Sequence, residues 1–153
     1  MRIPPLLASF LLLAAPAAAH DFRLGDLHID HPVIRVAHPA AKTGAGFMTI
    51  MNHGKTADRL IAVETTASTR ADLHGTVRDG TVMKMRAQGS GVPVPAGGSV
   101  TFAPGGLHVM FIGLKAPVPD GSSIRARLRF EKAGSIDVAF KAEKAASAPT
   151  HQH

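Results

Sequence analysis

The chain has no cysteine, no tryptophan and no tyrosine; seven phenylalanines are its only aromatic residues apart from histidine. Without a thiol it cannot exchange disulfides, build a thiolate zinc site or supply the cysteine of a blue-copper centre. Any soft metal ion must therefore be held by methionine and histidine. An exported domain of this size needs no disulfide when its core is adequate. The missing Trp and Tyr are also the residues that stack on single-stranded nucleic acid. The net charge of +6 is accordingly read as solubility and partner docking, with no nucleic-acid partner expected. No stretch reaches the ~20 apolar residues that span a bilayer, so no stable membrane insertion is expected once a leader is removed. No Ser–His–Asp or paired-carboxylate constellation can be placed, and a non-enzymatic role is expected.

Residues 1–19 read as a secretory signal. Arg2 supplies the charged start, Leu6–Leu13 the apolar centre and Ala17-Ala-Ala19 a small-residue cleavage site. The mature chain would begin at His20, with one β-domain over 20–141 and a flexible His-containing tail over 142–153. Within the domain, short alternating runs are separated by Gly/Pro turns at about ten-residue spacing, the pattern of an antiparallel β-barrel or sandwich. Asp26–Asp30 and Pro32–Ala37 read as two strands, followed by Ala45–Asn52 and Asp58–Glu64. Arg70–Val77 and Thr81–Arg86 flank Asp79-Gly80, a hairpin signal. The prolines of Gly89–Gly98 suit a loop or a broken edge strand. A second hairpin is predicted from Ser99–Ala103 and Leu107–Leu114 around Pro104-Gly-Gly106. Ser122–Phe130 alternates strictly, with Ile124, Ala126, Leu128 and Phe130 inward and three arginines outward. Gly134–Lys141 repeats the pattern with Ile136, Val138 and Phe140.

Chemistry gathers in the middle of the chain. His108 and Met110 stand two apart on a strand and share a face, roughly 7 Å apart at Cα. Met83 and Met85 form a second pair, and His74 lies on the other arm of their hairpin. Two hairpins of one small β-fold could bring His74, Met85, His108 and Met110 together. Imidazole and thioether donors suit Cu(I) better than Ca²⁺ or Mg²⁺. His20 at a new N-terminus, with His151 and His153 in the tail, offers a secondary site for Cu(II). His28, His31, His38 and His53 read as surface or turn residues.

These residues resemble the periplasmic copper-A chaperones, the PCuAC family. That family's signature is a His, ten residues, a Met, about twenty-one residues and then His-x-Met. Here ten residues separate His74 from Met85 and twenty-two separate Met85 from His108-Val-Met110. The additional residue is assigned to the loop Gln88–Gly98, and Met83 is the substitute if Met85 is displaced. Similar pieces include Gly46-Phe-Met-Thr-Ile-Met-Asn52, Val94-Pro-Ala-Gly-Gly98 and Pro104-Gly-Gly-Leu-His-Val-Met110. Val33 departs from the Trp common after the His-Pro pair. The resemblance implies a cupredoxin-like β-barrel in the periplasm, with His74, Met85, His108 and Met110 as Cu(I) ligands. It implies delivery to the copper-A centre on subunit II of cytochrome c oxidase, or to another thiol-bearing acceptor. The alternative is a copper-buffering or resistance protein with no dedicated acceptor.

Overall fold

A computed structural model describes residues 21–144; the leader over 1–19, His20, His151 and His153 lie outside the described residues. Within them the chain is all β. The strands are β1 (Asp21–Leu24), β2 (Leu27–Arg35), β3 (Thr43–Asn52), β4 (Asp58–Glu64), β5 (Ser68–Asp79) and β6 (Val82–Ala87). They are followed by β7 (Val92–Val94), β8 (Ser99–Phe102), β9 (His108–Leu114), β10 (Ser123–Phe130) and β11 (Gly134–Ala142). One hydrogen-bonded path runs β6-β5-β9-β3-β2-β11-β10-β4-β7, with β1 added to β2 and β8 to β3. The path curls until β4 comes beside β5 without a ladder between them. The enclosed core holds Ile29, Ile34, Ile50, Leu60, Phe111, Leu128 and Phe140, all fully buried.

The two strands predicted over residues 26–37 are one strand with a kink. His31 adopts a positive φ of 49°, and the pairing of β2 with β3 shifts register between Asp30 and Val33. A bulge of this kind bends a strand and lets it change neighbours. Before the kink β2 pairs with β1; after it, Val33 and Ile34 pair with Lys141 and Ala142 of β11. That last pairing is parallel, the exception in an otherwise antiparallel arrangement. It also carries β11 one residue past its predicted end.

The second predicted hairpin does not form. β8 pairs with Met48–Met51 and β9 with Thr43–Gly46, both antiparallel to β3, so β8 and β9 follow one another along the same edge. Pro104-Gly-Gly106 is a detour between collinear strands, held by Ala103 N–H donating to the Leu107 carbonyl at 2.9 Å. The turn residues were legible but not their use, because a ten-residue β3 has room for two short partners.

Elsewhere the alternation holds. Ala126, Leu128 and Phe130 of β10 are buried, Ile124 is half-buried, and Arg125, Arg127 and Arg129 face water. Arg127 donates to Asp137 at 2.8 Å, and this hydrogen bond holds the Asp137 carboxyl below its usual range. On β4, Leu60 and Val63 point inward and Ile61 is exposed, because the ladder to β10 skips a residue there. β7, with Pro93 in its middle, occupies a sheet edge, where a missing donor is tolerated.

Gly46 pairs with Val109, between the two candidate ligands of β9. A Cβ there would lie 2.8 Å from Phe111 Cε2, 3.1 Å from Phe140 Cε1 and 3.2 Å from Val109 Cβ. Phe111 and Phe140 meet edge to face at 5.3 Å and are fully buried, so neither ring can step aside. We expect Gly46→Ala to destabilise the domain by about 1–3 kcal/mol, the range for overpacking a core. A urea midpoint equal to that of the parent would contradict this packing.

Candidate metal centre

The β5–β6 hairpin turns through Gly80 and Thr81, with Asp79 paired to Val82. Gly80 has φ +64° and Thr81 does not share the positive φ, the pattern of a type II′ turn with glycine first. This register sets His74 opposite Ala87 and Met85 opposite Thr76, so both side chains lie on one face. On its other edge β5 pairs with β9, and His74 stands directly opposite His108. The imidazoles meet edge to face with centroids 5.7 Å apart.

Three of the four predicted ligands are thus in contact. His108 Nε2 lies 3.2 Å from Met85 Sδ. Met110 shares the His108 face two residues on, opposite Asp72 of β5. Met83 sits opposite Arg78, one step nearer the hairpin tip. Exposure grades across the cluster: His108 is buried at 7%, His74 and Met110 are half-buried, and Met85 is open at 59%.

The detour before β9 orients the buried imidazole. Its Gly106 carbonyl accepts from Thr76 N–H at 3.3 Å and pairs with His108 Nδ1 at 3.1 Å. A carbonyl can only accept, which assigns the proton of neutral His108 to Nδ1 and leaves a lone pair on Nε2. The thioether of Met85 has no proton either. Two lone-pair donors therefore face each other at 3.2 Å with no hydrogen between them. His74, whose ring meets that of His108, has its Nδ1 buried with no hydrogen-bond partner. Bonds of about 2.0 Å to nitrogen and 2.3 Å to sulfur, meeting between a right angle and the tetrahedral angle, separate N and S by roughly 3.0–3.5 Å. The cluster fits a soft cation.

Two participants were missed by sequence reasoning. Asp72 lies 3.9 Å from His74 Nε2 and is held by Arg70 at 2.7 Å. Its place two residues before His74 on a strand was the available signal. Gly106 acts through a backbone carbonyl and leaves no trace in residue type. The structure also corrects one histidine: His28, read as a surface or turn residue, is half-buried within β2. His38 and His53 are exposed, and His31 at the kink lies 3.2 Å from Glu143.

A family model described as "Putative lipoprotein LpqE-like" matches residues 27–142. "Putative lipoprotein Lxx21020" of Leifsonia xyli subsp. xyli is 35% identical over 95 residues, 62% of this chain and 57% of that protein. The chain thus spans little more than half the length of that relative. Among solved structures, the apo PCuAC domain from PmoF1 matches with a TM-score of 0.70 at 27% identity, covering 82% of this chain and 100% of that one. The copper-bound PCuAC domain from PmoF2 matches at 0.69 and 25% identity, over 82% and 99%. The Cu(I) form of DR1885 from Deinococcus radiodurans matches at 0.62 and 24% identity, over 83% of each chain, a likeness of fold alone. The fold is that of the PCuAC domains, a cupredoxin-like β fold.

The assigned tautomer can be read directly. At a pH of about 8.5, where imidazoles are neutral, long-range ¹H–¹⁵N spectra of the metal-free protein are expected to show His108 with its proton on Nδ1. A dominant Nε2–H form would mean that Gly106 does not orient the ring.

Proposed function

The chain belongs to the LpqE-like family, and from that membership and its PCuAC-domain fold we propose that it carries copper in the cell envelope. Cu(I) is held by His74, Met85, His108 and Met110 and passed to a thiol-bearing acceptor, the copper-A site of cytochrome c oxidase subunit II. The lipoprotein-like family supports an exported protein, and we place it in the periplasm. The observation that carries the reading is the lone-pair contact of His108 Nε2 with Met85 Sδ at 3.2 Å, with the ring of His74 against that of His108.

The donors suit carriage better than storage. Thioethers bind without losing a proton, so only the two imidazoles need be neutral. Four neutral ligands leave the bound ion its single positive charge. They hold it less firmly than thiolates, and a dithiol acceptor lies downhill. The exposure gradient gives the transfer a direction. His108 is anchored on the buried side by the Gly106 carbonyl, while Met85 faces water on the hairpin. An incoming thiolate displaces Met85 first and the histidines last. No bond in a substrate is made or broken, so the protein has no turnover of its own.

Anaerobic titration of Cu(I) into the full chain, against a calibrated chromophoric chelator, tests the ligand set. One tight equivalent is expected, weakened at least tenfold (~1.4 kcal/mol) by Met85→Ala or His108→Ala and unchanged by His151→Ala with His153→Ala. Tight binding that survives the first two substitutions would overturn the site. Delivery has its own test: the loaded protein is mixed with a reduced dithiol peptide bearing the spacing of a copper-A loop. The copper is expected to move to the peptide, and its retention would leave the buffering role in place of the chaperone.

A further inference from the structure

A second group of metal-binding side chains stands on the β1–β2 hairpin and shares no residue with the His/Met cluster. The register sets Asp21 opposite Asp30 and Arg23 opposite His28, so all four lie on one face. The ligand atoms of Asp21, His28 and Asp30 all fall within 4.8 Å of one another. Two features of this trio are unfavourable as they stand. Carboxylates directly opposite on antiparallel strands repel. His28 Nε2 is buried and unbonded, 3.4 Å from Asp21 Oδ2 yet making no hydrogen bond to it, on a side chain only 13% exposed. The exposed Arg23 shares the face, but its side chain reaches water and no ion pair ties it to either aspartate.

A cation seated among the three would relieve both features at once. It would neutralise the facing carboxylates and take the orphaned nitrogen lone pair. The donor set then selects the ion. One imidazole with two carboxylates is harder than the His/Met cluster and offers nothing to favour Cu(I). Ca²⁺ and Mg²⁺ are taken by oxygen ligands, and an imidazole at the buried end of the trio suits neither. Divalent ions late in the first transition row accept both nitrogen and oxygen, and their affinity peaks at copper and remains high at zinc. We propose that Asp21, His28 and Asp30 form a second metal site, for a divalent transition ion of the Cu(II) or Zn(II) kind. It stands on different residues from the Cu(I) reading and on a different oxidation state, so either can fail without the other.

Zn(II) is the probe, because it keeps its charge and does not seek thioethers. It is titrated into the full chain, followed by the imidazole ¹H–¹⁵N signals and by calorimetry. The His28 ring signals are expected to shift and saturate at one equivalent. Asp21→Asn and Asp30→Asn, which keep the shape of the side chain, are expected to weaken that equivalent at least tenfold. His108→Ala is expected to leave it unchanged. Backbone amide spectra of the variants verify that β1 still pairs with β2. His28 signals indifferent to Zn(II) in the unsubstituted chain would overturn the site without recourse to any variant. So would Asn variants that bind as tightly as the parent, the result expected if Zn(II) is held without the two aspartates.

Discussion

Along one edge of β3 two strands follow each other in the same direction, β8 against its second half and β9 against its first. Between them the chain leaves the edge at Ala103 and returns at His108. That excursion does more than connect. It brings the Gly106 carbonyl to Thr76 N–H of β5, so the loop is tied to the neighbouring strand just before β9 begins. His108 then starts its strand opposite His74, with the same carbonyl holding its Nδ1. Remove the detour and β9 would continue β8 without that anchor, and the imidazole would lose its fixed orientation. The candidate metal centre depends on a backbone feature of β3's edge as much as on its own side chains.

The same logic governs the other end of β3's partner. β2 serves β1 before His31 and β11 after it, and the bulge at that residue is what makes the change possible. Both central strands are therefore shared lengthwise between two neighbours. The curl follows, because each switch redirects the sheet. The Phe111–Phe140 contact at the centre, closed against Gly46, packs where those redirected strands converge.

What could be read from sequence was whatever repeats at the spacing of a strand. The arginine face of β10 alternates with its buried face as read, and the Asp79-Gly80 signal did mark the turn between the arms that carry His74 and Met85. Pairing partners were another matter. Pro104-Gly-Gly106 has the composition of a hairpin turn, and composition does not say whether the strands on either side reverse or continue. That depends on the free length of β3, a property of the partner. The two strands read over 26–37 failed for a related reason: Pro32 looks like punctuation, and only the kinked ladder shows it inside a single strand. Gly106 and Asp72 were invisible as site residues because one acts through its backbone and the other supports a ligand without resembling one.

The absence of cysteine ties these points to chemistry. Thiolates would bring negative charge and hold a soft ion firmly; thioethers and imidazoles bring none and hold it loosely enough to be displaced. A protein built that way must make its site by placement, since no single donor is strong. Placement is what the strands provide: β5 and β9 set the two imidazoles in register, and β6 lays an exposed thioether over them from the open side. The β1–β2 hairpin arranges its donors by register too, but with carboxylates in place of sulfur. Two donor sets of opposite softness on one small fold would sort ions by oxidation state. The hard trio has no use for Cu(I), and Met85 and Met110 have little for the divalent ion.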